Sequence, residues 1–332
     1  MTRIAVFGAG AIGCYVGGRL AAGGADVTLI GRARLMTELA NGLRITELGD
    51  RSWTVTPALA TDAGAAADAD VVLVTVKSAQ TAEAGAALTA TRGVVISLQN
   101  GVRNAEILRA ALPGRTVLAG MVPFNVAWVE PGHYHRGTSG ELIVEASEAA
   151  TPFVDACRAA ELEVITRGDI LAVQWSKLVM NLNNAINALS GRPLMAQLED
   201  RDFRRCLAAV QREALDVLDA AGQPVAKLLR LSPRMIARLL PAPNWIFRRV
   251  AARVASVDPL ARSSMSDDFA AGRATEIDYL QGEIVALAGK VGRTAPMNGK
   301  LVELVRAAEA GGRRDWGGAE LLRALEATAP TA

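Results

Sequence analysis

Three polar residues on one apolar helix carry the first chemical signal. The stretch Gln174 to Ser190, QWSKLVMNLNNAINALS, lacks Gly and Pro and repeats Leu, Met, Ile and Ala at helical spacing. It also holds Lys177, Asn181, Asn183, Asn184 and Asn187, although Asn suits a helix interior poorly because its amide competes for backbone groups. At about 100° per residue, Lys177, Asn181 and Asn184 fall within a wedge of roughly 60° on one face. An ammonium flanked by amides on an apolar helix describes the wall of a polar pocket. A solvated face, or buried amides satisfied by neighbouring backbone, is the plainer alternative. The lysine is itself informative: among 36 Lys and Arg, only Lys77, Lys177, Lys227, Lys290 and Lys300 are lysines. Codon usage that favours Arg explains the bias simply, but Arg cannot release a proton in a protein and Lys can. A proton donor or acceptor is therefore to be sought among these five. A carboxylate candidate stands at Glu276, where Thr275-Glu276 breaks the apolar pattern of Arg273 to Leu280. An exposed carboxylate fits that break equally well.

Such a pocket needs a scaffold and a reactant, and the N-terminal half offers both. Arg3 to Phe7, RIAVF, suits a buried parallel strand. Gly8-Ala9-Gly10-Ala11-Ile12-Gly13 follows, then an Ala/Gly/Leu-rich helix to about Gly23. G-x-G-x-x-G between a strand and a helix is a dinucleotide fingerprint. Gly8 allows the tight turn, Gly10 admits a pyrophosphate against the backbone, and Gly13 lets helix and strand pack closely. The helix N-terminus supplies N–H donors for phosphate. Asp26 to Ile30 is the second strand, and Arg32 follows where an NAD site carries an acidic residue for the ribose 2′-hydroxyl. A guanidinium there suits a 2′-phosphate, so the expected cofactor is NADP. Asp70 to Val76 is a third buried strand ending at Lys77, which is placed to meet cofactor phosphate or ribose, with Gln80 one turn on. Gly93 to Leu98 is a further strand, followed by Gln99-Asn100-Gly101, where Asn100 either marks a turn or fixes the nicotinamide or substrate. Val117 to Val122 and Glu141 to Glu145 complete the strands expected.

Composition narrows the classes. The chain has 332 residues, 51% hydrophobic and 21% charged, which suits two globular domains with ample core. Aromatics at 4% and a net charge of +2 argue against nucleic acid as a partner. Cys14, Cys157 and Cys206 show no metal-ligand spacing, the opening residues carry no signal-peptide pattern, and no apolar run reaches the ~18 residues of a membrane span. The expectation is a cytoplasmic protein with no membrane and no metal. The two histidines, His133 and His135, are expected in a solvated hairpin. Their scarcity argues against a His acid/base, and no Tyr has a Lys four residues on, as short-chain reductases require.

From about Asp169 the pattern turns wholly helical. The fold class expected is α/β, with a Rossmann-type dinucleotide-binding domain at residues 1–168 and a helical domain for substrate and dimerisation at residues 169–332. Phe203 to Ala221 is amphipathic and ends at Gly222. The Arg-rich segment 228–257 is expected to form two bundle helices serving as a lid or a dimer contact, a basic surface for a membrane or partner being the other option. Ser263 to Asp268 opens a helix leading into Arg273 to Leu280, Pro296 to Val305 is a last helix, and the tail after Gly311 is expected to be peripheral.

Taken together, GAGAIG at Gly8, VTVK ending at Lys77, QNG with Asn100, WSKLVMN with Lys177 and Asn181, SSM with Ser264, and TEIDY with Glu276 resemble the ketopantoate reductase (2-dehydropantoate 2-reductase) family over nearly the whole length. The resemblance implies an oxidoreductase for pantothenate biosynthesis that reduces a small 2-oxo acid, ketopantoate, with NADPH. It implies Lys177 as proton donor to the carbonyl, with asparagines of the same helix and Ser264 as substrate ligands. It also puts Lys77, Asn100 and Glu276 at the cofactor and active site. The chemistry is consistent: hydride arriving at carbonyl carbon builds charge on oxygen, which a cation able to release a proton stabilises. Two features depart from the family pattern. Its helix runs Lys-x-x-x-Asn-x-x-x-Asn, whereas the second spacing here reaches Ala185, beside Asn184 and before Asn187. An Asn often found three residues before the serine is here Ala261. A reductase of another 2-oxo or hydroxy acid, or a non-catalytic NADP-binding regulatory protein, are the alternatives. A homodimer through the helical domain completes the expectation.

Overall fold

A computed structural model describes residues 1–49, 51–228, 231–251 and 262–328. The chain divides into two compact units, Met1–Gln174 and Trp175–Ala332.

The first unit runs β1 (Arg3–Phe7), α1 (Ala11–Ala22), β2 (Asp26–Ile30), α2 (Ala33–Leu39), β3 (Leu43–Glu47), β4 (Ser52–Val55), β5 (Ala58–Ala60), β6 (Val71–Val74), α3 (Thr81–Ala87), β7 (Val94–Ser97), α4 (Asn104–Ala111), β8 (Val117–Met121), β9 (Val126–Glu130), β10 (His133–Arg136), β11 (Leu142–Glu145), α5 (Thr151–Ala159) and β12 (Val164–Arg167). Helix α6 (Ile170–Asn181) carries the division between the units. The main sheet has the order β5-β2-β1-β6-β7-β8-β11-β12. Its first six strands are parallel, and β11 joins β8 antiparallel. This is the doubly wound nucleotide-binding order, which switches direction between β1 and β6. Every residue of β6 and β7 is buried, as runs covered on both faces require.

Helix α1 is covered on two sides. It packs on the main sheet and on a second sheet of order β4-β3-β10-β9. All residues from Gly13 to Leu20 are buried, which explains why the helix is apolar on every face but for Arg19 and the Tyr15 hydroxyl. Adjacent glycines allow the double contact: a Cβ at Gly17 would meet Leu29 of the main sheet at 2.7 Å, and one at Gly18 would meet Ile45 of the second sheet at 2.8 Å. The second sheet is not among the expected elements, and it corrects the reading of the histidine segment. β9 and β10 do form a hairpin, but β10 also pairs with β3, and both histidines are half-buried. Thr46 Oγ1 sits 2.9 Å from His133 Nε2 and from His135 Nδ1.

A buried ion pair fastens α1 to this second sheet. Arg19 is 1% exposed and donates to Glu47 of β3, and to the Ala160 carbonyl at 2.6 Å. Its guanidinium lies 3.8 Å from the Trp53 ring centroid. Tyr15 also donates to Glu47, and Arg136 of β10 donates to the Tyr15 hydroxyl at 3.1 Å.

The second unit continues with α7 (Asn183–Ser190), α8 (Leu194–Glu199), α9 (Arg201–Ala220), α10 (Pro233–Leu239), α11 (Asn244–Ala251), α12 (Ser264–Ala270), α13 (Gln281–Lys290), α14 (Pro296–Glu309) and α15 (Gly318–Glu326). Three expectations are corrected. The single helix from Gln174 to Ser190 is two, α6 and α7, meeting at Leu182. Leu182 keeps helical dihedrals (φ −58°, ψ −19°) and still donates to the Leu178 carbonyl. Its own carbonyl accepts from the buried Gln281 Nε2 at 2.8 Å, and such an inserted side chain disturbs the helical ladder. The helix opening at Ser263 stops at Ala270, where Gly272 at φ +62° turns the chain, so Thr275 and Glu276 lie in a loop. The tail is not peripheral: α15 packs against α9 and buries Leu321, Leu322 and Leu325. Within the Arg-rich segment, α10 and α11 are helices as expected. Residues 229–230 and 252–261, including the Ala261 departure, lie outside the described residues.

Arg204 of α9 anchors that segment. It is fully buried, and each of its five N–H groups finds an acceptor: the carbonyls of Leu240, Leu198, Glu199 and Ala242, and Asn244 Oδ1, at 2.7–3.1 Å.

Arg19→Ala leaves Glu47 in a mostly buried site without its nearest counter-charge. Urea unfolding should show a loss of about 3–5 kcal/mol; a loss like that of an exposed pair, under about 1 kcal/mol, would contradict this role.

Candidate active site

In the first unit, the expected dinucleotide turn lies where the sheet order switches. Gly8 takes φ +112°, and the amides of Gly8 and Ala9 both donate to the Ile30 carbonyl, at 3.0 and 3.1 Å. This closes the carboxyl ends of β1 and β2 onto each other. Thr75, beyond β6, donates its hydroxyl to the Gly8 carbonyl at 2.6 Å. A Cβ on Gly13 would stand 2.3 Å from that carbonyl and 2.6 Å from the Thr75 hydroxyl, so no larger residue fits. Gly10 differs: a Cβ added there would meet nothing within 4 Å, and the residue N-caps α1 with no side-chain cap and no acidic residue in the first turn. The amide donors of Ala11 and Ile12 thus begin a helix whose positive end faces open space, the arrangement that receives phosphate. These features fit a dinucleotide.

The remaining first-unit residues gather around this turn. Arg32 N-caps α2 directly beyond β2 and is exposed, while Arg34 is drawn to Glu38 at 3.2 Å. Lys77 begins the short turn after β6, where the Gln80 amide donates to the Lys77 carbonyl at 2.8 Å. Asn100 follows β7, and Ser78 Oγ donates to its carbonyl at 3.0 Å. Lys77, Gln80 and Asn100 are all half-buried. Behind them, Thr81, Gln99 and Asn104 are buried and hydrogen-bonded together. These three leave little trace in the sequence, because Q-N-G is a common turn and Asn104 sits at an ordinary helix start.

In the second unit the polar residues of α6 and α7 sort into two groups. Asn183 pairs with Gln197 through two amide hydrogen bonds at 3.1 and 3.2 Å. Asn187 is fully buried, donating to the Arg192 carbonyl and accepting from the Ser263 amide, both at 3.0 Å. Lys177, Asn181 and Asn184, the predicted wedge, are half-buried instead. Asn187 docks the start of α12 onto α7, leaving Ser264 exposed with its hydroxyl 3.5 Å from Asn184 Nδ2. Helical geometry alone does not separate these two asparagines: Asn187 is consumed by the fold and Asn184 faces outward beside Ser264. Burial pushes the Lys177 ammonium down to about 8. Glu276 is half-buried in the loop after α12, and its carbonyl accepts from the Tyr279 amide at 3.0 Å.

The chain is an oxidoreductase that uses a nicotinamide cofactor on a small molecule, as its likeness to known proteins shows. Residues 4–149 match the family described as ketopantoate reductase PanE/ApbA, and residues 169–309 match its C-terminal region. The chain belongs to the ketopantoate reductase family. It is 33% identical to the 2-dehydropantoate 2-reductase of Halobacterium salinarum, over 93% of this chain and 100% of that one. A PanE/ApbA family ketopantoate reductase from Ralstonia eutropha JMP134 superposes with a TM-score of 0.80 at 31% identity, covering 93% of this chain and 99% of the other. A D-mandelate dehydrogenase solved with NADH and anilino(oxo)acetate shares the fold, with a TM-score of 0.78 at 20% identity over 93% of this chain and 99% of that one. No helix among the described residues is long and apolar enough to cross a membrane.

The two glycines should separate folding from binding. Gly13→Ala should lower Tm and cofactor affinity together, whereas Gly10→Ala should keep the parent Tm yet weaken dinucleotide binding by roughly tenfold or more (about 1.4 kcal/mol). Calorimetry with fluorescence titration reads both. Undiminished binding by Gly10→Ala would show that phosphate does not approach there.

Proposed function

We propose that this enzyme reduces 2-dehydropantoate (ketopantoate) to pantoate with NADPH, a step of pantothenate biosynthesis, in the cytoplasm. The observation that carries the mechanism is Lys177, a burial-perturbed ammonium at about 8 that is half-buried, as are Asn181 and Asn184. The names carried by its full-length relatives support the substrate, and the exposed Arg32 beyond β2 supports NADPH over NADH. The three buried free thiols suit a reducing compartment.

The Gly8–Gly13 turn and the first amides of α1 hold the pyrophosphate, Arg32 the 2′-phosphate, and Lys77 and Gln80 the adjoining phosphate or ribose. A reduced nicotinamide held there would supply the hydride for the carbonyl carbon. Lys177 hydrogen-bonds the carbonyl oxygen, stabilises the charge that develops there, and releases its proton to it as the C–O double bond becomes a hydroxyl. A solvent proton then restores the ammonium. Asn181, Asn184 and Ser264 orient the carboxylate and hydroxyl oxygens without adding charge, with Asn100 fixing nicotinamide or substrate. Glu276 contributes a carboxylate at the cofactor and active site. A homodimer through the second unit is part of this proposal, supported by the exposed Met235, Leu239 and Trp245 of α10 and α11.

Ala185, where the family pattern has Asn, favours a second reading: reduction of a different 2-oxo acid on the same machinery. Loss of reduced-nicotinamide absorbance with a panel of 2-oxo acids decides between them. Ketopantoate should be the best substrate, and parity with 2-oxoisovalerate would sink the specific assignment. Arg32→Asp should erode the preference for NADPH, and an unchanged preference would refute the 2′-phosphate role.

Lys177→Ala should still bind NADPH but lose turnover by about 10²–10⁴-fold. Because the protonated lysine is the acid, ketone reduction should hold below about pH 8 and fall as pH rises through it. Alcohol oxidation, which needs the neutral amine, should rise across the same range. A flat profile from pH 7 to 10 (a span of about three units around that pKa) would remove Lys177 from the role.

A further inference from the structure

Behind the loops that carry Lys77 and Asn100 lies a closed set of side chains, Ser78, Thr81, Ser97, Gln99 and Asn104, each 6% exposed or less. Hydrogen bonds connect these side chains to one another and to the two loops. Ser97 Oγ donates to Gln99 Oε1 at 3.0 Å. The two protons of Gln99 Nε2 go to the Val76 carbonyl at 2.9 Å and to Thr81 Oγ1 at 2.8 Å. The Thr81 hydroxyl has two acceptors within reach of its proton, Asn104 Oδ1 at 2.8 Å and the Ser78 carbonyl at 2.9 Å. The two protons of Asn104 Nδ2 go to the Asn100 carbonyl at 2.6 Å and to Ser78 Oγ at 3.2 Å. Ser78 then donates to the same Asn100 carbonyl at 3.0 Å. Turning either amide over would set oxygen against a carbonyl oxygen, so the Gln99 and Asn104 carboxamides each have a single orientation.

The path is directional. It starts at the end of β7, crosses to the main chain before Lys77, reaches the first residue of α4, and returns to Asn100. Asn104 stands at its closing point, with both amide protons spent on the two loops. Neither Gln99 nor Asn104 is exposed enough to meet a ligand, so any influence on the reaction passes through what they hold.

We propose that Asn104 is a positioning residue for the reaction: its carboxamide clamps the Asn100 carbonyl and so sets the place of the Asn100 side chain. This role rests on Asn100 acting at the nicotinamide or substrate, as proposed above. A merely structural Asn104 would change the stability and yield of the enzyme but not act through Asn100.

Asn104→Ala, in the full-length enzyme assayed with NADPH and ketopantoate, should lower kcat/KM by roughly tenfold to a hundredfold, the scale of a displaced reacting group. The deciding measurement is a double-mutant cycle with Asn100→Ala, which removes the positioned amide but keeps the carbonyl. Asn104→Ala should then cost little further, giving strongly non-additive losses; additive losses would overturn the proposal. If Asn100→Ala is impaired and Asn104→Ala is not, the positioning role alone fails. A silent Asn100→Ala would sink the underlying site assignment and this role with it. Should Asn104→Ala fail to fold, Thr81 offers a matched pair. Thr81→Val removes the hydroxyl at constant shape and should be impaired, while Thr81→Ser keeps it and should match the parent. Equal behaviour of the two would also overturn the role.

Discussion

The space between the first turn of α1 and the ends of β1 and β6 admits no side chain. Gly13 faces the Gly8 carbonyl and the Thr75 hydroxyl at distances no Cβ could occupy. The rest of the first unit follows from this closeness. Helix α1 begins directly above the strand ends, so its unpaired amides open onto the point where the sheet order reverses. The helix is held so near the main sheet that its opposite face becomes a second buried surface. A second sheet covers that face, and Gly18 and the Arg19–Glu47 pair fit it there. Glu47, the Ala160 carbonyl and the Trp53 ring all bear on this buried guanidinium, although its Nε has no acceptor among the described residues.

The second unit solves a different problem, how to keep polar side chains accessible on an otherwise buried helix pair. It commits Asn183 and Asn187 to neighbours, and this fixes the backbone from which Asn184 projects. Lys177 is the opposite case. Its ammonium is partly desolvated, which disfavours the charged form. A proton held near its release point is what the donor role proposed for Lys177 would use.

How far the sequence foretells this depends on how much of each feature is local. β1 and β2 match their expected bounds because buried parallel strands are unbroken apolar runs closed by glycine. Lys177, Asn181 and Asn184, grouped by helical spacing, are half-buried, whereas Asn183 and Asn187 are buried. The second sheet is not, since β3, β4, β9 and β10 are four or five residues long with mixed exposure, and their apolar residues find their purpose only against α1. The break at Leu182 depends on Gln281, and the burial of α15 depends on α9, and both are remote in sequence. Nor does any pattern distinguish Asn184 from Asn187, whose difference lies in an amide contributed by Ser263.

Arg204 has a consequence for how the segment after it is held. Its acceptors are uncharged, four carbonyls and an amide oxygen, so no carboxylate among them is available to be neutralised by acid, and little exposed charge is available to be screened by salt. A guanidinium also keeps its proton despite burial. The five hydrogen bonds that join α9 to the α10–α11 connection therefore depend on no acceptor that acid could neutralise. Ion pairs elsewhere on the helices, such as Arg234 with Asp216 and Asp219, are exposed and open to both influences.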